Sequence, residues 1–313
     1  MSTAFTNLHA NYVGRFAPSP TGPLHFGSLV AAVASYCDAK VNHGKWLIRM
    51  EDVDKPREMA GAADDILRTL EAFGFEWDGE SLKSKILYQS QRSDIYENYL
   101  TKLKQDGLVY ACTCSRKEIA DSSNAQGIDG LIYPKTCANK HALGANIHAA
   151  CRALVLDKNI TFLDAIQGNI SQQLSRDVGD FILQRKDGLF AYQLAVVVDD
   201  FEQGVTHVVR GADLLDSTPR QIYLQQLLGF SAPYYAHVPV AVNTQGEKLS
   251  KQTLATAITP QASPVLVFEA LQFLGQSPPN WLKNANLREI WVWAIANWQL
   301  KNIPRQKSQI YNN

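Results

Sequence analysis

The sequence has no surplus of charge of either sign: 30 Lys and Arg balance 30 Asp and Glu over 313 residues. Bulk attraction to a polyanion such as RNA is thereby excluded, and any nucleic-acid contact must be a local patch. No apolar run approaches the ~18 residues that cross a bilayer, so no membrane partner is expected. Met1-Ser-Thr-Ala-Phe also lacks the basic start and apolar centre of a secretory signal, which makes the cytosol the expected compartment. Cysteine is scarce: Cys37, Cys112, Cys114, Cys137 and Cys151 are odd in number and unevenly spaced. That argues against a disulfide framework and for a buried thiol plus a metal cluster. What remains, 46% hydrophobic and 19% charged, is the composition of an ordinary globular protein, long enough for about two domains at roughly 150 residues each.

Tyr12 to Ala17 alternates like a strand, 18 to 27 is a Pro/Gly-rich loop, and Ser28 is placed to cap a helix running from Leu29 towards Gly44. Lys45 to Glu51 reads as the next strand. The result is a βαβ unit whose loop lies where open α/β sheets bind ligands. Apolar steps of three or four at Ile66, Leu67, Leu70 and Phe73, and again at Ile95, Tyr99 and Leu103, predict two sheet-covering helices. From about 110 to 180 this rhythm fails and four of the cysteines appear, so an insertion with its own small core is expected. Asp187-Gly188 between apolar runs signals a hairpin. Val205 to Arg210 reads as a buried strand. A helix then starts with Thr218 as N-cap and Pro219 in its first turn, and closes at Gly229. Beyond about 255 the pattern is helical: Ser263-Pro264 opens one helix, Gly275 ends it, and Trp291, Trp293 and Trp298 lie on another. The tail from Lys301 is polar enough to fray.

Two separated segments carry the chemistry. The first is Pro18-Ser-Pro-Thr-Gly-Pro-Leu-His-Phe-Gly-Ser28, a turn between strand and helix whose N–H groups and helix end can face a phosphate, with His25 as a further donor. The second is Lys248-Leu-Ser-Lys-Gln252, where two lysines can neutralise a departing pyrophosphate. By itself either reads as an ordinary loop. In this order around a βαβ core they resemble the HIGH and KMSKS elements of class I aminoacyl-tRNA synthetases. Arg15-Phe-Ala-Pro-Ser-Pro-Thr-Gly22, Arg49-Met-Glu-Asp-Val-Asp54, Tyr192 to Asp200 and Val209-Arg-Gly-Ala-Asp213 sharpen the likeness to the glutamyl-tRNA synthetase family over nearly the whole chain. Two positions depart from it: Ser28 stands where HIGH has its second histidine, and Gln252 where KMSKS ends in serine.

The resemblance implies an α/β fold: a Rossmann-like parallel-sheet catalytic domain in two halves (1–110 and 181–240). It also implies an inserted zinc-binding subdomain (111–180) and a C-terminal loop and helical subdomain (241–313). It implies ATP with Mg2+ held by Pro18, Thr21, Gly22, His25, Gly27, Ser28 and Lys251, with His25, Lys248 and Lys251 catalytic. L-Glutamate would be bound by Arg15, Phe16, Ala17, Pro18, Ser19, Glu51, Tyr192 and Arg210. Since glutamyl-tRNA synthetases continue into an anticodon-reading domain and this sequence stops at Asn313, it looks like their shortened paralogues. These activate glutamate without tRNA and transfer it to queuosine in the anticodon stem-loop of tRNA(Asp). The alternative is a shortened enzyme that charges the acceptor end of tRNA(Glu). The same resemblance assigns structural zinc to Cys112, Cys114, Tyr133 and Cys137. On chemistry alone His141, in Cys137-x-x-x-His141, is the better fourth ligand.

Overall fold

The computed structural model of the chain describes residues 12–79, 86–138, 148–249 and 257–311. Strand β1 (Val13–Phe16), helix α1 (Phe26–Val41) and strand β2 (Lys45–Met50) form the expected βαβ unit, with β1 and β2 parallel. Helix α1 is apolar on nearly every face and is correspondingly buried, from Phe26 through Leu29 and Val33 to Cys37. Its N-cap is His25, not Ser28: the imidazole Nδ1 accepts the Ser28 amide at 3.3 Å, so the helix starts earlier than the sequence suggests. Helix α2 (Ala62–Ala72) precedes β3 (Leu87–Tyr88), which adds to β2 in parallel, and α3 (Ser93–Gln105) follows.

Strand β4 (Val109–Cys112), helix α4 (Arg116–Ser122) and the short pair β5 (Gln126–Gly127) and β6 (Gly130–Leu131) lead to β7 (Ala150–Ala153), which runs antiparallel to β4. A hairpin of β8 (Asn159–Asp164) and β9 (Gly168–Gln173) precedes the single turn α5 (Leu174–Asp177). In this stretch the separate small core comprises Cys112, Tyr133 and Cys137. Ala153, Val155, Ile160 and Leu174 instead pack into a core shared with later helices, a difference from the sequence reading. Strand β10 (Ile182–Gln184) turns back at Gly188, where Gln184 bridges Phe190 antiparallel as the Asp-Gly signal predicts.

Helix α6 (Tyr192–Glu202) leads into β11 (His207–Gly211). The Thr206 amide donates to the Val13 carbonyl at 2.9 Å, laying this segment beside β1. Helix α7 (Thr218–Leu228) ends at Gly229, but its N-cap is Ser217. The Thr218 hydroxyl is drawn away from capping by the Leu214 carbonyl, 3.2 Å away, and by Arg210. Strand β12 (Tyr234–Val238) pairs in parallel with β11 along its length and with β8 through Tyr235 and Asp164. After β13 (Val240–Val242) come α8 (Ser263–Phe273) and α9 (Leu287–Asn297). Trp291 and Trp293 lie on α9, whereas Trp298 is its C-cap. Trp298 Nε1 reaches Asp38 of α1 at 3.0 Å.

The tail does not fray as expected: β14 (Ser308–Ile310) pairs in parallel with β13, and Tyr311 stacks on Phe26 at 3.6 Å. Its polar residues need no core face there, because register with β13 and one aromatic contact fix it. Among the described residues no helix is long and apolar enough to cross a membrane.

Candidate active site

The turn after β1 is braced by its own backbone. Glu51 N–H donates to the Pro18 carbonyl, Met59 N–H to Pro20 and Thr21 N–H to Ser19, all within 3.0 Å. Gly22 holds φ 141, a conformation that L side chains rarely adopt. At the end of the turn, both His25 nitrogens face Ser28: Nδ1 the amide, and Nε2 the hydroxyl at 3.2 Å.

The far segment arrives on this turn. Ala257 bridges His25 antiparallel, and the Ile258 amide donates to Leu24 at 3.0 Å. A Cβ on Gly27 would crowd the His25 ring at 3.2 Å and just touch the Leu249 carbonyl at 3.4 Å, so the two segments lie in contact there. They bound a cavity of about 430 Å³ whose lining includes Phe16, Pro18, Ser19, Thr21, His25, Gly27, Ser28, Asp213 and Lys248. Lys248 Nζ donates to Asp213 at 2.6 Å at this cavity. Lys251 and Gln252 lie outside the described residues.

Ser19 also lines a second cavity, about 190 Å³, together with Glu51, Gln89, Arg57, Arg185 and Tyr192. Behind it is a buried charge cluster. Arg15 presents Nε and Nη2 to the two oxygens of Asp200, at 3.1 and 3.4 Å. Arg49, wholly buried, donates Nη2 to Asp200 at 2.8 Å and to Glu51 at 3.2 Å. Burial works against the Asp200 charge, yet Arg15 and Arg49 hold its carboxyl below the usual range. Glu51 moves the other way: burial pushes it up, and Arg49 and Arg15 only partly compensate. Asp199 takes Arg92, Gln89 and Tyr96 at 2.7, 2.7 and 2.8 Å.

Arg210, on β11, is 5% exposed. Its Nη1 points at the Tyr192 hydroxyl at 3.5 Å. Burial and the nearby Glu51 raise the Tyr192 phenol, against the pull of Arg210 and Arg15, so these four groups share one field. Such an arrangement can hold a small molecule bearing two carboxylates and an ammonium beside a triphosphate.

Asp199 and Asp200 lie in a quoted motif segment without a role assigned from sequence, and Asp164 and His237 are not singled out there; the structure puts Asp199 and Asp200 against Arg49 and Arg92, and His237 against Arg210. The available signal was polar residues inside apolar runs: two adjacent acids following Leu194 to Val198, and a lone histidine in the buried strand β12.

At the cysteine cluster the sulfurs of Cys112, Cys114 and Cys137 lie within 4.8 Å of one another. The Tyr133 hydroxyl is 3.3 Å from Cys112 and 3.4 Å from Cys114, and the Cys137 amide donates to it at 3.0 Å. Ligands at 2.3 Å around a tetrahedral ion stand about 3.8 Å apart, so the donor set is compatible with such a metal. Burial opposes the Cys137 thiolate, but donors from Tyr133, the Thr113 backbone and Cys114 bring its thiol down to about 6. His141 lies outside the described residues.

Residues 12–277 match the family described as tRNA synthetases class I (E and Q), catalytic domain. A glutamyl-Q tRNA(Asp) synthetase of Dechloromonas aromatica is 56% identical over 300 residues, 96% of this chain and 98% of the relative. One from Neisseria meningitidis is 52% identical over 94% of this chain and 98% of its own length. The chain belongs to the glutamyl-Q tRNA(Asp) synthetase family.

Among solved structures, the glutamate-tRNA synthetase of Elizabethkingia anophelis superposes with a TM-score of 0.79 at 25% identity, over 96% of this chain and 68% of that one. The class I synthetase fold, a parallel sheet flanked by helices, is thus shared with full-length glutamate enzymes. The chain is thus a ligase of the class I tRNA synthetase kind.

Proposed function

We propose that the chain activates L-glutamate with ATP to glutamyl-adenylate without tRNA, and transfers the glutamyl group to queuosine at the wobble position of tRNA(Asp). The observation that carries this is the convergence of the two motif segments on one cleft, joined through Ser19 to the Glu51 and Tyr192 pocket beside Arg15 and Arg210.

In this reading the glutamate α-carboxylate attacks the α-phosphorus of ATP and pyrophosphate leaves. The carboxylate is already ionised, so no general base is required, and catalysis is positioning and charge neutralisation. The turn from Pro18 to Ser28, with His25, holds the ATP phosphates, which carry Mg2+. Lys248 and Lys251 meet the charge that develops on pyrophosphate. Arg15 and Arg210 take the two glutamate carboxylates, Glu51 the ammonium and Tyr192 a hydroxyl contact, with Phe16, Ala17, Pro18 and Ser19 forming the wall. A hydroxyl of the queuosine cyclopentene-diol then attacks the acyl carbonyl, the ester bond forms and AMP departs.

Cys112, Cys114, Tyr133 and Cys137 would hold zinc as a structural ion that ties β4 to the following loop. The organisation that fits is a catalytic domain from 1–110 and 181–240, an inserted subdomain from 111–180, and a C-terminal loop and helical subdomain from 241–313. The cytosol is its compartment.

The test is glutamate-dependent pyrophosphate exchange without tRNA, followed by transfer of labelled glutamate to tRNA(Asp) with and without queuosine. Label is expected on the queuosine nucleoside after nuclease digestion. Label on the terminal adenosine, or equal transfer to tRNA lacking queuosine, overturns the reading.

A further inference from the structure

We infer that Asp164 and His237 form a buried relay that aims Arg210, making them positioning residues for glutamate recognition. The inference rests on Arg210 being the ligand of a glutamate carboxylate. His237 is 0% exposed and its Nδ1 lies 2.6 Å from Asp164 Oδ2. Asp164 is itself held: its other oxygen accepts the amides of Ile166, Gln167 and His237 at 3.0, 2.8 and 3.1 Å. On the far side of the ring, Nε2 faces Arg210 Nε at 3.0 Å. Arg210 Nη2 donates to Thr218 Oγ1 at 2.9 Å and Gln221 Oε1 at 2.7 Å. Three of the five guanidinium N–H bonds are thus directed by protein acceptors, which turns the Nη1 edge towards Tyr192 and the pocket.

The relay works only if Nε2 carries a lone pair. Burial, reinforced by the Arg210 charge, brings His237 down to about 4 despite the opposing Asp164, so the ring is neutral near pH 7. Asp164 has no proton to give at that pH and therefore selects the Nδ1–H tautomer. With the proton on Nε2, the ring would turn a donor to Arg210 Nε and could give that proton only to Thr218 Oγ1, 3.1 Å away, so Arg210 would keep Thr218 and Gln221 but lose the acceptor that fixes its Nε edge. Neither Asp164 nor His237 lines either cavity described above, so their effect on substrate passes through Arg210.

The decisive variant is Asp164→Asn. Its amide oxygen can still accept the three backbone amides, while its NH2 faces the ring as a donor and drives the ring proton to Nε2. The expected result is a KM for glutamate raised about 10- to 100-fold in pyrophosphate exchange, with the KM for ATP within about twofold. The 15N shifts of His237 should report the exchanged tautomer. His237→Gln, whose amide can donate to Asp164 and accept from Arg210, should retain more glutamate affinity than His237→Leu. A folded Asp164→Asn protein with unchanged KM for glutamate overturns the relay, as does a loss that falls equally on glutamate and ATP. Wild-type protein without glutamate-dependent exchange overturns the functional reading instead, while the wild-type His237 tautomer tests the relay independently of activity.

Discussion

Lys248 Nζ and Asp213 Oδ2 meet at 2.6 Å, linking the segment after β13 to the turn after β11 at the larger of the two cavities described above. The side chains are 45% and 37% exposed, and pairs this open contribute less than about 1 kcal/mol. If ATP occupies this cavity as proposed, its triphosphate should outcompete Asp213 for the lysine. Lys248→Met is expected to lower exchange turnover about 10- to 100-fold with the KM for glutamate unchanged. Asp213→Asn should lower the KM for ATP by removing the competing carboxylate. Full turnover in Lys248→Met would remove this lysine from the chemistry.

Arg49 stands at the centre of three carboxylates and is wholly buried, at 2.8 Å from Asp200, 3.2 Å from Glu51 and 4.0 Å from Asp199. Its guanidinium is held firmly charged by those neighbours even though burial works against the charge. Taking away one member of such a group leaves buried charge without compensation. Arg49→Met should cost about 3–5 kcal/mol, seen as a lower urea midpoint with an unchanged m-value. A variant as stable as wild type would mean that the carboxylates find protons or other partners.

The βαβ unit was legible because local features carried it, alternation in β1 and an apolar helix, and the family was legible through the resemblance of the quoted motif segments. The partners of Arg49 were not, since Asp199 and Asp200 come to it from about 150 positions away and no local pattern encodes that meeting. The same holds for His237 and Asp164, which are 73 positions apart. Caps were misplaced for a different reason. Ser28 and Thr218 are good capping types, but in this fold a histidine and an arginine claim them. The polar tail failed as a fraying signal because strand pairing, which periodicity cannot see in three residues, holds Ser308–Ile310.

If the cysteine cluster holds one zinc, stripping it with a chelator should lower the melting temperature and release metal in equal proportion to protein. Cys137→Ser should abolish the metal, since it removes one of the three sulfurs that converge there. Tyr133→Phe should bind zinc more weakly, whereas His141→Ala should leave affinity unchanged. Competition with a chromophoric chelator measures all three. Loss of zinc in His141→Ala with retention in Tyr133→Phe would exchange the fourth ligand.

His237 also gives stability a pH slope with a definite sign. Its folded value, about 4, lies below the ordinary 6.5, so between these the unfolded chain binds a proton that the folded chain refuses. Stability must then rise with pH through that window and fall as pH drops from about 6.5 towards 4, by on the order of 3 kcal/mol for a shift of this size. The groups that face the ring pull in different directions: Arg210 deepens the shift, while Asp164 and Asp213 oppose it. Burial works against the Asp164 charge, but its bonds to His237 and backbone amides hold its carboxyl low, and its own loss of stabilisation comes below this window. The measurement is the free energy of unfolding in urea at pH values from 4.5 to 7, for wild type and His237→Gln. Glutamine cannot take up the proton, so its curve should be flatter across the window, with the other histidines contributing equally to both proteins. Identical slopes would mean that folding does not shift His237, and a slope of the opposite sign would mean that the ring is held charged, in which case it could not accept the Arg210 N–H.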